Sequence, residues 1–154
     1  MTSLTRTRQS LRGNTPFVYA LLANFVWINV SEVFRYFAFI MPMMRKALPM
    51  LPDAAPMNLT VFLIWGLWDT ILVIASTTIV WMALTIFAPT LRNTLVAGTG
   101  VWITIFGLIW IGIYNMNLTT WPVVLTALPL AWVEMIIAAL IVRRICFGNE
   151  VVHK

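Results

Sequence analysis

Charge is what this sequence has least of. Only 10% of its 154 residues are Asp, Glu, Lys or Arg, against about 25% in soluble globular domains, while 61% are hydrophobic. Such a chain lacks the polar surface that a water-soluble fold needs. Nearly the whole length is taken up in crossing a bilayer, so no stretch is left for a separate soluble domain, and residues 1–154 read as one four-span membrane domain. Cysteine is nearly absent too. Cys146 stands alone, which excludes an internal disulfide and a thiol-pair exchange enzyme. The single histidine, His153, is the penultimate residue, leaving no bis-histidine haem ligation and no His/Cys metal cluster; no cofactor and no metal site is expected. Acids are outnumbered, five to ten Lys and Arg, for a formal net charge of +5. In a soluble chain that surplus would suggest nucleic acid, but most of the basic residues flank apolar runs, as topology signals do. The expected partner is therefore the lipid bilayer and not nucleic acid.

What is abundant is the long apolar run. Four are bounded by helix start and stop signals, at approximately 16–41, 57–88, 95–114 and 122–145. Asn14 and Thr15 precede the first as capping residues and Pro42 follows it; Pro56 precedes the second and Pro89 closes it; Pro129 lies inside the fourth, where its missing donor predicts a kink. The first run is too long for a secretory signal and has no small-x-small cleavage site, so it reads as retained. The fold class is all-α, an integral membrane four-helix bundle. Arg6, Arg8, Arg12, Arg92, Arg143, Arg144 and Lys154 fall on one side, and only Arg45 and Lys46 on the other. The positive-inside bias then makes both termini cytoplasmic, with residues 42–56 and 115–121 outside.

Short sequences recur in order along the two halves. Val26-Trp27-Ile28 matches Val101-Trp102-Ile103, Met57-Asn58-Leu59-Thr60 matches Met116-Asn117-Leu118-Thr119, and Leu11-Arg12-Gly13-Asn14-Thr15 loosely matches Leu91-Arg92-Asn93-Thr94. Duplication of a two-helix hairpin would leave such a pattern, as two parallel copies. The matches are offset by unequal lengths, and chance recurrence in a Trp- and Leu-rich chain is the alternative. The two Asn-Leu-Thr triplets fit the glycosylation pattern, but both lie close to a span, where Asn58 and Asn117 serve as caps for the helices that follow.

The informative residues are those most costly to place in lipid: Glu32 and Arg35 in the first span, Asp69 in the second and Glu134 in the fourth. Each acid lies about nine to twelve residues inside its run, or roughly 14–18 Å along a helix rising about 1.5 Å per residue, close to the midplane. A lipid-facing carboxylate there costs on the order of 3 kcal/mol or more, so each should point into the bundle. Asn29, Glu32, Arg35 and Tyr36 share one helical stripe, with Asn24 two turns earlier; Asp69 aligns with Gly66 on one side and with Ser76 and Thr77 on the other. Ala127, Ala131 and Ala138 flank Glu134, and Gly100, Thr104 and Gly107 form a small-residue stripe for packing in the third span. Glu32 and Arg35 pair as an internal salt bridge or act as a gate. One arginine cannot neutralise three acids, which leaves Asp69 or Glu134 to a proton, a cation or a partner chain.

Three functions follow from that mismatch. One is a proton- or cation-coupled transporter or channel-like protein that works as a homo-oligomer, with Glu32, Arg35, Asp69 and Glu134 as coupling residues and Asn29, Tyr36, Ser76 and Thr77 in support. In outline, four spans with a buried glutamate in the first, at Glu32, this resembles the small multidrug-resistance transporters. The likeness does not extend to that family's surrounding motif, and the chain departs from it in length, in its second and third buried acids and in Arg35. The second function is an accessory or assembly subunit of a larger membrane complex. The third and weakest is an intramembrane enzyme acting on a lipid or isoprenoid with Asp69 and Glu134 as acid and base, because no nucleophile elbow, phosphate loop or metal motif is present.

Overall fold

The computed structural model describes residues 3–51 and 55–151, with side chains over 15–51 and 55–148. Four helices are long and apolar enough to span a membrane: α1 (Thr15–Ala47), α2 (Leu59–Phe87), α3 (Leu91–Asn115) and α4 (Trp121–Gly148). No strand occurs among the described residues. The composition demands this outcome, because backbone polar groups in hydrocarbon have no water to bond to and a helix satisfies them within one segment. The protein is thus a multi-pass, all-helical membrane protein. Four crossings put Thr15 and Gly148 on one side of the bundle, here called the terminal side; residues 48–51, 55–58 and 116–120 form the loop side.

Local chemistry sets most of the helix ends. The Asn58 side chain accepts a hydrogen bond from the Val61 amide at 3.0 Å, and the Thr90 hydroxyl accepts one from the Asn93 amide at 3.2 Å, so α2 and α3 each begin on a capped donor. Pro122 stands in the first turn of α4, where its missing donor costs nothing. Asn117 does not cap α4. It adopts a left-handed conformation with φ 57° in the preceding turn, and Thr120 instead receives the first amides, from Val123 and Val124.

The first helix departs from the sequence reading at both ends. Helical backbone begins at Ser3 and passes through Asn14, Thr15 and Pro16, so the expected cap at Asn14 and Thr15 lies within a helix. Pro42 does not stop α1 either. A π-helical turn spans Tyr36–Ile40, with the Met41 amide bonded back to the Tyr36 carbonyl, and Pro42 falls in the first turn of the α-helical segment Met41–Ala47. A missing donor is tolerated at a helix start, and the widened turn creates one within α1. A second π turn, Ile103–Gly107, interrupts α3.

The helices close into a ring in chain order, and α4 touches all three others, including α2 across the diagonal. Its Ala127, Ala131, Ala138 and Ala139 are all at most 3% exposed, so small side chains let neighbouring backbones approach. The glycine that uses this closeness is Gly98, where an added Cβ would meet Ala139 Cβ and the Met135 carbonyl at 3.1 Å. The expected packing glycines, Gly100 and Gly107, have nothing within 4 Å of such a Cβ, and neither has Gly66. Indole donors add polar fastenings to α4: Trp27 to the Glu134 carbonyl at 3.0 Å, Trp102 to the Leu128 carbonyl at 2.8 Å, and the reverse bond from Trp132 to the Thr99 hydroxyl at 3.1 Å. Trp27 and Trp102 are the tryptophans of the recurring Val-Trp-Ile triplet, and both serve α4. The Arg6, Arg8, Arg12, His153 and Lys154 side chains lie outside the described residues.

Candidate functional site

Helical spacing puts Glu32 and Arg35 three residues apart on one face of α1, and their side chains form an ion pair. Arg35 is 6% exposed and reaches further than its own helix. Its second guanidinium nitrogen lies 3.6 Å from Glu134 Oε2 on α4, within ion-pair range but too long for a hydrogen bond. Its carbon centre stands 5.0 Å from the Phe106 ring centroid on α3, a cation–π contact. Arg35 ends the regular part of α1 immediately before its π turn, and Phe106 lies within the π turn of α3. Two irregular turns therefore meet at one guanidinium, a feature that often marks functional positions.

Glu134 is sealed in the core at 1% exposure. The Ser31 hydroxyl donates to its Oε2 at 2.7 Å, while Oε1 has no hydrogen-bond partner. Ser31, Trp27 and Phe106 thus take part in a site that sequence reasoning built without them. Ser31 lies one turn before Arg35 and two turns after Asn24, a spacing that could have added it to the stripe, whereas nothing in an apolar third span singles out Phe106.

Asp69 occupies a different setting. It is 8% exposed and has no hydrogen-bond or ion-pair partner among the described residues. It lines a cavity of about 600 Å³ between α1, α2 and α3, which extends from the midplane to residues 55–57 on the loop side. Asn29, Glu32, Arg35 and Tyr36 line the same cavity, so the whole expected stripe of α1 faces one space. Gly66 and the rings of Trp65, Trp68 and Trp110 complete its middle. Glu134 is not among its walls. The Asn29 amide donates to its own helix at the Phe25 carbonyl, 2.8 Å, and the Tyr36 hydroxyl to the Ala55 carbonyl, 3.3 Å.

Ser76 and Thr77 lie elsewhere. Both are at most 2% exposed on the terminal side of the midplane, where the Asn24 amide donates to the Thr77 hydroxyl at 3.0 Å and to the Ala138 carbonyl at 3.3 Å, and Ser76 donates to the Val73 carbonyl. Thr77 ties α2 to α1 through Asn24, which also reaches α4, whereas Ser76 bonds its own helix; neither residue lines the cavity. Among the described residues, no three His, Cys, Asp or Glu side chains come close enough to hold a metal ion.

The structure therefore separates the three acids. Glu32 pairs with Arg35 at the cavity wall, Glu134 approaches the same guanidinium from within the core, and Asp69 faces the cavity unpartnered. Fold and site define a four-helix membrane protein with an aromatic-walled chamber over a charged floor. No protein-family model, curated protein or solved structure matches the chain.

Proposed function

We propose that the protein is a small proton- or cation-coupled transporter or channel-like protein, working as a homo-oligomer, in which Asp69 is the coupling residue. The observation that carries this reading is the cavity of about 600 Å³ with a nine-tenths buried, unpartnered carboxyl at its floor. An intramembrane acid is costly, so one that is neither paired nor sealed has the properties of a site that alternates between a proton and a cation. Below the floor, Leu72, Val73, Val80, Leu84, Met135 and Val142 are all at most 3% exposed, and a translocation cycle must open this packed half. The positive-inside bias places that half toward the cytoplasm.

Each carboxyl has its own part in this scheme. Glu32 and Arg35 fix the charge of the chamber wall, and Glu134 holds Arg35 from behind. An enzyme using Asp69 and Glu134 as an acid and base pair would need both on one cavity, whereas Glu134 is walled off from it. The test is proton movement in proteoliposomes under an imposed cation gradient, read with an internal pH dye. Asp69→Asn should abolish coupled movement while native mass spectrometry finds the same oligomer as for the wild type. Undiminished coupling in Asp69→Asn, or a stoichiometric complex with a different chain in the native membrane, would overturn the proposal in favour of an accessory subunit.

A further inference from the structure

The cavity also indicates what it takes up and from where. Its loop-side end is crossed by Ala55, Pro56 and Met57, and the Ala55 carbonyl is held by the Tyr36 hydroxyl at 3.3 Å and by Arg45 at 3.5 Å. Its inner end is the packed core. Its flanks are instead apolar and open: Phe37, Phe62 and Trp65, in the apolar helices α1 and α2, are 44, 53 and 51% exposed. An apolar flank is a barrier to a hydrated ion and a natural path for a molecule dissolved in lipid.

The floor sets the polar requirement. When ionised, Asp69 offers acceptors only, and no donor among the described residues bonds to them. Arg35 is shared between Glu32 and Glu134 and forms no ion pair with Asp69, so the ionised Asp69 carboxyl is left without a counter-charge on the floor. The aromatic walls, Trp65, Trp68 and Trp110, suit both an apolar body and a cation. The volume matches a drug-sized ligand.

We infer that the Asp69 cavity binds a membrane-dissolved amphiphilic amine, whose N–H groups donate to the Asp69 carboxylate while its apolar body lies between α1, α2 and α3. This inference rests on reading the cavity as a substrate chamber and adds the ligand class to it. An N–H donor is required as well as a charge. A protonated primary amine therefore binds better than its quaternary counterpart, which has the charge but nothing to donate.

Two glycines supply the decisive variants. Gly66 lines the cavity and Gly100 lies outside it, and at both an added Cβ meets open space. Gly66→Leu puts a bulky side chain at the chamber wall from a Cβ that meets no neighbour, and Gly100→Leu is the matched control. Binding of radiolabelled decylamine to the purified full chain is measured by scintillation proximity, with unlabelled decylamine, decyltrimethylammonium and decanol as competitors. Decylamine should compete at least about tenfold more tightly than the other two, the scale of one charge-assisted hydrogen bond. Asp69→Asn should bring the three within about threefold of one another, Gly66→Leu should lose binding, and Gly100→Leu should keep it.

Equal competition by decyltrimethylammonium would overturn the inference, as would an amine preference that survives Asp69→Asn. Full binding in Gly66→Leu would overturn it independently, so a misfolded Asp69→Asn would still leave a decision. Amine binding with no amine-driven proton movement in proteoliposomes would remove the transport reading and leave the amine site standing. Coupled movement of another cation by a chain that binds no amine would do the reverse.

Discussion

Among the described residues Arg35 is the single cation beside the buried acids, and its removal should be the most damaging polar change in the protein. In Arg35→Met the apolar stem is kept and the guanidinium lost. Glu134, whose side chain is 0% exposed, then retains only the Ser31 hydroxyl, while Glu32, 18% exposed, can reach the cavity. Removing one member of a buried ion pair costs about 3–5 kcal/mol, because the other is left as an uncompensated charge. The cation–π contact with Phe106 adds about 1–2 kcal/mol. If Glu134 is first made neutral by Glu134→Gln, the larger part of that penalty is gone, and Arg35→Met should then cost only about 2 kcal/mol. The coupling between the two positions is thus about 2–5 kcal/mol, the difference between about 4–7 kcal/mol in the wild type and about 2 kcal/mol in Glu134→Gln, measured as a double-mutant cycle by reversible unfolding from mixed micelles into SDS with helical circular dichroism. A coupling below about 0.5 kcal/mol would refute the reasoning, since the 3.6 Å approach would then be proximity without interaction.

Packing and backbone geometry give three further expectations. Gly98→Ala should destabilise by about 1 kcal/mol, because overpacking against Ala139 and the Met135 carbonyl outweighs the gain in helix propensity; Gly100→Ala, into open space, should stabilise by up to about 1 kcal/mol, and equal signs in the same unfolding assay would contradict the packing. Ala88 sits at φ 69° and ψ 147°, a region natural to glycine, in a turn held by the Asn93 amide and by Arg143 bonding the Pro89 carbonyl at 2.9 Å. Ala88→Gly should therefore raise stability by about 1 kcal/mol after the entropy it adds to the unfolded chain, and a loss of stability would argue against that conformation. Asn58→Ala removes the cap of α2 and should cost about 1 kcal/mol, with earlier amide exchange at Val61 as its local signature.

The membrane character and the four helices were legible along the chain alone. These depend on quantities that run along one chain: apolar length and caps such as Asn58. The Glu32 and Arg35 pair was legible for the same reason, since three residues bring two side chains together on any helix. The tertiary structure decided what no single helix carries. It gave Arg35 a second partner in Glu134 and a ring in Phe106, sent Thr77 to a separate contact with Asn24 and Ser76 to the backbone of its own helix, and opened a chamber at Asp69. It also chose Gly98 over Gly100 and Gly107 for close packing. In a soluble helix the polar face marks the outside and the apolar face the core. Here lipid is as apolar as the core, so a span reads alike on both faces, and only the approach of its neighbours distinguishes a packed wall from an open one.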